Sequence, residues 1–206
     1  MARRIRRIGF VGLGRMGLPM ACRLASAGFE VRGFDIAEPA RDAFSRALAA
    51  SAARAGSAAD GTVPSGSADT LAGAAEDADA VVLVLPGSTV IAAVARDQGL
   101  LSAMRPETLL IDMGPAHPAR TDGPTRTDEL ARSARARGIH VVGAPVSGGV
   151  AGATRGTLTI MTGGATRAVA RARPVLDALG SRVIHAGEAA GAGHARLARW
   201  PDGAMD

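Results

Sequence analysis

An α/β fold built on a doubly wound, mostly parallel sheet is predicted by three features of this 206-residue chain. Strand-like and helix-like segments alternate, the first strand runs into glycines spaced G-x-G-x-x-G, and later strands stop at Pro86-Gly87 and at Asp112. Alternation of this kind joins parallel strands through helices that cover both faces of a sheet. With 47% hydrophobic residues and no long uncharged apolar run, the chain has the means to bury a core and reads as a globular protein without a membrane span.

The first strand is marked by Ile8, Phe10 and Val11. Gly12 then allows a tight turn, Gly14 lets the backbone approach a pyrophosphate, and Gly17 lets the next helix pack closely on the sheet. A phosphate would face that helix's N-terminus, where free N–H groups and the helix dipole favour an anion. Met16, Met20 and Leu24 share one helix face, and Gly28 is placed to end the helix in a left-handed cap. A second strand, Val31 to Phe34, leads to Asp35, about 20 positions past the glycines, where a ribose hydroxyl pair needs an acceptor. These features predict a dinucleotide pocket, and an acidic residue there favours NAD over NADP. The competing reading of Asp35 is a cap for a helix beginning near Pro39.

From Asp35 to Asp79 the chain is alanine-rich, with loop-like sequence from Gly56 to Gly66. The continuous apolar run Ala80 to Leu85 predicts a central strand, and Pro86-Gly87 stops it at the carboxyl edge of the sheet, beside the cofactor. A helix carrying Val90, Ile91 and Val94 on one face, a turn at Gly99, a strand from Leu109 to Ile111 ending in Asp112, a loop from Gly114 to Pro124 and a helix from Ala131 to Arg137 closed by Gly138 follow. A further strand starting at Ile139 delivers Ser147, Gly148 and Gly149 to a loop, where a hydroxyl and flexible backbone amides make a cradle for a carboxylate. No G-x-S-x-G elbow surrounds Ser147, so it is not read as a hydrolytic nucleophile, and a turn-forming serine is the alternative.

Net charge is +5, and all the basic residues are arginine. They scatter over several amphipathic helices, and the few aromatic residues form no stacking platform, so nucleic acid is set aside as a partner. The basic start Ala2 to Arg7 leads straight into a strand with no signal-peptide core, which predicts a cytoplasmic protein. The lone Cys22 rules out an internal disulfide framework and a cysteine metal cluster, and reads as small core filler.

The Gly17-Leu18-Pro19-Met20-Ala21 segment, the Leu85-Pro86 stop, the Gly99-Leu100-Leu101 turn, the Ala144-Pro145-Val146-Ser147-Gly148-Gly149 loop and the Gly156-Thr157-Leu158-Thr159 strand together resemble the β-hydroxyacid dehydrogenases. That family includes 3-hydroxyisobutyrate dehydrogenase and tartronate semialdehyde reductase and is related to 6-phosphogluconate dehydrogenase. The resemblance implies a Rossmann-type NAD(P)-binding domain over residues 1–187, with 188–206 beginning a linker helix to an all-helical domain that this sequence does not contain. It implies that Gly12, Leu13, Gly14, Met16 and Gly17 hold the pyrophosphate and adenosine side, Asp35 the adenine ribose, Leu85 and Pro86 the nicotinamide side, and Ser147, Gly148 and Gly149 the carboxylate of a small β-hydroxy acid or its aldehyde. It further implies hydride transfer to or from the nicotinamide, with NAD favoured over NADP and no metal. Family members oligomerise through the helical domain, so exposed apolar surface and poor solubility are expected here.

The family's general acid–base is a lysine on the linker helix, after a Gly-x-Gly-x-x-x spacing that matches Gly191 to Arg196. Its place is taken by Leu197, and the place of the positioning asparagine by Pro201. No lysine occurs anywhere in the chain. Arg196 stays protonated and does not cycle protons. His194 is the nearby titratable group, with a solvated helix residue as the plainer reading. Gly114-Pro115 stand where the family has Ser-Thr, and His117 has no partner legible in sequence. The tail Arg199 to Asp206 leaves the helical pattern, as an early stop or a shifted reading frame would explain. The expectation is therefore an oxidoreductase impaired by loss of the lysine, with a non-catalytic NAD-binding remnant as the alternative. Imine reductases share the N-terminal turn, and the Ser147-Gly148-Gly149 loop speaks against them.

Overall fold

The computed structural model describes residues 4–55, 65–87, 90–91, 94, 99–115 and 126–198. Strands are β1 (Arg7–Val11), β2 (Glu30–Phe34), β3 (Gly66–Ser67), β4 (Ala80–Leu83), β5 (Leu109–Asp112), β6 (His140–Gly143), β7 (Val146–Ser147), β8 (Leu158–Gly163) and β9 (Gly180–Gly187). Helices are α1 (Gly17–Ser26), α2 (Glu38–Ala55), α3 (Leu71–Ala75), α4 (Leu100–Ala103), α5 (Arg126–Arg135), α6 (Gly149–Arg155), α7 (Thr166–Leu179) and α8 (Ala192–Ala198).

The sheet runs β3-β2-β1-β4-β5-β6-β8, with β7 and β9 also paired to β8. Pairing is parallel from β3 through to β6, antiparallel where β6 and β7 meet β8, and parallel again between β8 and β9. The order reverses between β1 and β4, and the carboxyl ends beside such a switch point open into a ligand crevice.

The apolar runs of β4 and β5 follow from burial on both faces. Ala80, Val82, Leu109 and Ile111 join one core cluster with Phe10, Met20, Leu24 and Phe44, while Val81, Leu83 and Leu110 join the other with Leu100 and Ile139. Successive residues thus serve opposite layers, as the period of a strand dictates. On α1, Met20 and Leu24 are fully buried, each contributing about 1.5–3 kcal/mol on a transfer scale. Gly28, at φ +89°, takes the left-handed turn after α1.

Several boundaries differ from the sequence reading. The strand at Ala80 ends at Leu83, with Val84 still donating to the Val11 carbonyl at 2.9 Å. Gly66 belongs to β3 rather than to a loop. The helix expected at Ala131–Arg137 is Arg126–Arg135; Asp128 and Glu129 fill its first turn and Arg132 and Arg135 its last, matching the helix dipole, and Gly138 at φ +70° turns the chain after it. Ile91 and Val94 are buried, but Val90 is exposed. Cys22 is half-buried against the core, beside a cleft of about 360 Å³ lined by Pro19, Arg23 and Thr154, so it is not interior filler, and its burial pushes the thiol pKa up. Residues 56–64, 116–125 and 199–206, with His117, Trp200 and Pro201, lie outside the described residues. No helix among the described residues is long and apolar enough to cross a membrane.

Candidate functional site

Parallel register lines up Phe34, Val11, Leu83, Asp112 and Gly143 as one row across β2, β1, β4, β5 and β6. The residues that follow each of these form the carboxyl edge, which brings Gly12, Asp35, Val84, Met113 and Ala144 side by side. Leu85 and Gly114 come next, and a Cβ on Gly114 would stand 3.4 Å from the Leu85 carbonyl oxygen.

The three glycines of the first turn have different surroundings. A Cβ on Gly12 would collide with the Val84 carbonyl, and one on Gly17 with the Gly12 carbonyl; Gly12 also sits at φ +99°. Nothing lies within 4 Å of where a Cβ on Gly14 would stand. Packing therefore explains Gly12 and Gly17, while the space at Gly14 is open to a ligand. The N-terminus of α1 has no side-chain cap and no acidic residue in its first turn, leaving backbone N–H groups and the positive end of the dipole for an anion. Met16 stands at the N-cap, half-buried, and Leu13 turns its side chain into the core at 2% exposure.

Asp35 ties this turn to the end of β2. Its Oδ2 accepts from the Leu13 N–H at 2.7 Å and its Oδ1 from the Ala37 N–H at 2.9 Å, an Asx-turn leading into α2. A carboxylate has about four lone-pair sites, so acceptor capacity for a ribose is left over. Arg41 donates to the Asp35 carbonyl at 2.7 Å and lies over the Phe34 ring, 6.0 Å from its centroid. The carboxylate thus organises the entry to α2, as the capping reading expects, and remains half-exposed beside the glycine turn.

Ser147 lies further along the sheet. Gly143 pairs with Gly163, Val146 with Ile160 and Ser147 with Thr159, one continuous antiparallel register in which β7 extends β6 along β8. The expected loop at 147–149 is therefore a strand end and a helix start: Ser147 closes β7, Gly148 turns the chain at φ +125°, and Gly149 opens α6. Ser147 is half-buried and both glycines are exposed.

His194 departs most from expectation. It is buried, at 8% exposure, not solvated. Its Nδ1 lies 3.4 Å from Thr127 Oγ1 and its Nε2 lies 3.7 Å from Asp112 Oδ2. Asp112 is itself 2% exposed and accepts from the Thr127 hydroxyl at 2.8 Å and from the Gly114 N–H at 3.0 Å. The ring fits against Gly143, where a Cβ would come 3.0 Å from Nδ1. Burial pushes the His194 pKa down, and the Asp112 carboxylate, a hydrogen bond to the Gly114 backbone and the Asp128 carboxylate offset this only in part. Leu197 follows on the same helix, half-buried, and Arg196 is exposed. Among the described residues no group of three or more His, Cys, Asp or Glu is arranged to hold a metal ion.

The profile of the family described as the NAD binding domain of 6-phosphogluconate dehydrogenase matches residues 7–187. The chain is 38% identical over 184 residues to the NAD-dependent L-serine dehydrogenase of Pseudomonas aeruginosa, covering 89% of this chain and 54% of the relative. It is likewise 38% identical over 184 residues to the 3-hydroxyisobutyrate dehydrogenase of that organism, covering 88% and 54%. The solved structure of Mycobacterium tuberculosis 3-hydroxyisobutyrate dehydrogenase with L-serine superposes with a TM-score of 0.79 at 35% identity, over 94% of this chain and 58% of that one. The chain spans about half the length of these relatives.

Proposed function

The chain belongs to the family of the NAD-binding domain of 6-phosphogluconate dehydrogenase, and on that premise we propose that it binds a nicotinamide dinucleotide along the carboxyl edge of β2, β1, β4 and β5. The observation that carries this is the contrast within the first turn: Gly12 and Gly17 are filled by backbone, while Gly14 faces open space at an uncapped helix N-terminus. In this reading the backbone around Gly12, Leu13, Gly14, Met16 and Gly17 holds the pyrophosphate, Asp35 accepts from the ribose hydroxyls, and Leu85 and Pro86 line the nicotinamide end. A carboxylate at Asp35 repels a 2′-phosphate, which favours NAD over NADP.

The bound nicotinamide would supply hydride chemistry. The partner substrate in this reading is a small β-hydroxy acid or its aldehyde, its carboxylate held by Ser147 and the amides of Gly148 and Gly149. Leu197 offers no proton, and absence of a positioned acid–base group costs ~10²–10⁴-fold in rate. That absence favours, as a second reading, cofactor binding without appreciable turnover. The scatter of the arginines over several helices supports a reading with no nucleic-acid partner. We read 1–187 as the NAD(P)-binding domain and 188–206 as the start of a linker helix and an aberrant tail.

The test is titration of the protein with NADH and with NADPH by nicotinamide fluorescence, followed by addition of NAD with L-serine or 3-hydroxyisobutyrate. Saturable, NADH-selective binding is expected, with turnover slow or absent. Turnover at an ordinary dehydrogenase rate contradicts the role given to Leu197, and absence of binding contradicts the cofactor reading.

A further inference from the structure

The cluster around His194 joins three stretches of chain far apart in sequence, and none of its contacts needs a ligand. Asp112 closes β5, Thr127 stands in the first turn of α5, and His194 in the first turn of α8. A second tie lies beside it: Asp128 Oδ1 accepts from the Gly191 N–H at 2.9 Å, just before α8 begins. The ground under the helix is cut flat by glycines, since a Cβ on Gly143 would collide with the Ala190 carbonyl and one on Gly193 with the Met161 carbonyl.

We propose that His194 is a positioning residue which, with Asp112 and Thr127, latches α8 to the carboxyl ends of β5 and β6 and so sets the nicotinamide end of the pocket. The latch stands on geometry alone; its effect on cofactor rests on the reading given above. The route is short. Asp112 Oδ1 holds the Gly114 N–H, and Gly114 stands against the Leu85 carbonyl and Ile91 Cδ1. A ring that leaves Asp112 therefore releases the strand end on which the Gly114 turn and the Leu85 edge depend.

Histidine makes this latch responsive to pH where glutamine would not. The charged groups acting on the ring are Asp112 from β5 and Asp128 from α5, and both favour its protonated form, but burial outweighs them. The docked ring thus has a pKa below its ordinary 6.5. With α8 undocked the ring regains water and takes up a proton first, so the docking contribution is present above about pH 6.5 and is lost as pH falls through the lower docked value.

The experiment is hydrogen–deuterium exchange of the full chain at pH 7.5 and pH 5.5, corrected for intrinsic exchange rates and read over residues 190–198, in wild type, His194→Gln and Thr127→Val. Wild type should lose about tenfold in protection on acidification. His194→Gln should keep its protection at pH 7.5 and lose the pH dependence, and Thr127→Val should be under-protected already at pH 7.5. Protection in wild type that is flat with pH, or a fall of equal size in His194→Gln, overturns the latch. Should His194→Gln misfold by circular dichroism, Thr127→Val with wild-type protection at pH 7.5 overturns it equally. NADH titration of wild type at pH 7.5 and 6.0 separates the two readings. No binding at either pH with a switching helix defeats the cofactor reading alone, whereas affinity independent of pH with a switching helix defeats the claim that the latch shapes the pocket.

Discussion

Two glycine-rich regions of this protein look alike in sequence and differ in what fills them. At the end of β1, Gly12 and Gly17 are packed against backbone while Gly14 opens to space. Under α8, Gly143, Gly163 and Gly193 all meet protein: Gly163 would drive a Cβ to 2.7 Å from the Gly193 N, and Gly143 and Gly193 are blocked by carbonyls. A glycine required by packing says that two pieces of backbone touch. A glycine with room around it leaves that side of the turn free for a group from outside the chain. Only the first region carries such a position, and it is there that the dinucleotide is assigned.

Substitutions that add a single carbon bring this contrast into the open. Gly17→Ala and Gly193→Ala force backbone apart and should each cost about 3 kcal/mol, the upper part of the overpacking range, read as a lowered urea midpoint. Gly14→Ala should leave stability within about 0.5 kcal/mol yet weaken NADH binding by about tenfold, an equivalent of ~1.4 kcal/mol. A midpoint for Gly14→Ala as low as that for Gly17→Ala would erase the distinction. Asp35→Ala comes next: it leaves the Leu13 and Ala37 N–H groups without their acceptor, at a cost of about 1–3 kcal/mol for the buried one, and should narrow the preference for NADH over NADPH. Cys22, its thiol pKa raised by burial, should alkylate more slowly at pH 7 than a free thiol in the same buffer. The smallest effect belongs to Arg173→Ala, which removes an exposed i,i+4 pair with Asp177 on α7 and should change stability by about 0.5 kcal/mol or less.

What was legible in the sequence lies mainly in the first half, where signals are local. The β1 run, the glycine spacing, the face of Met20 and Leu24, and Asp35 at the end of β2 depend on neighbours within one or two turns, and the structure places them where the pattern put them. α7 carries an equally good signal, with Val169, Ala172, Leu176 and Leu179 on one buried face. β9 carried little, because its strand is only half-buried and its residues alternate poorly. The position of Ser147 depends on antiparallel pairing with β8, which no local pattern prints. His194 was hardest to read. Thr127 is 67 residues away in the chain, and burial, not residue type, decides whether a helix histidine is a solvated side chain or a latch.

The central claim is that the turn around Gly14 receives a dinucleotide while its companions serve packing. The most direct measurement is fluorescence titration of wild type and Gly14→Ala with NADH, alongside urea unfolding of both. Saturable binding by wild type, weakened in Gly14→Ala at an unchanged urea midpoint, is the result predicted. A folded wild-type protein that does not bind NADH, or a Gly14→Ala variant that binds as tightly as wild type, contradicts it.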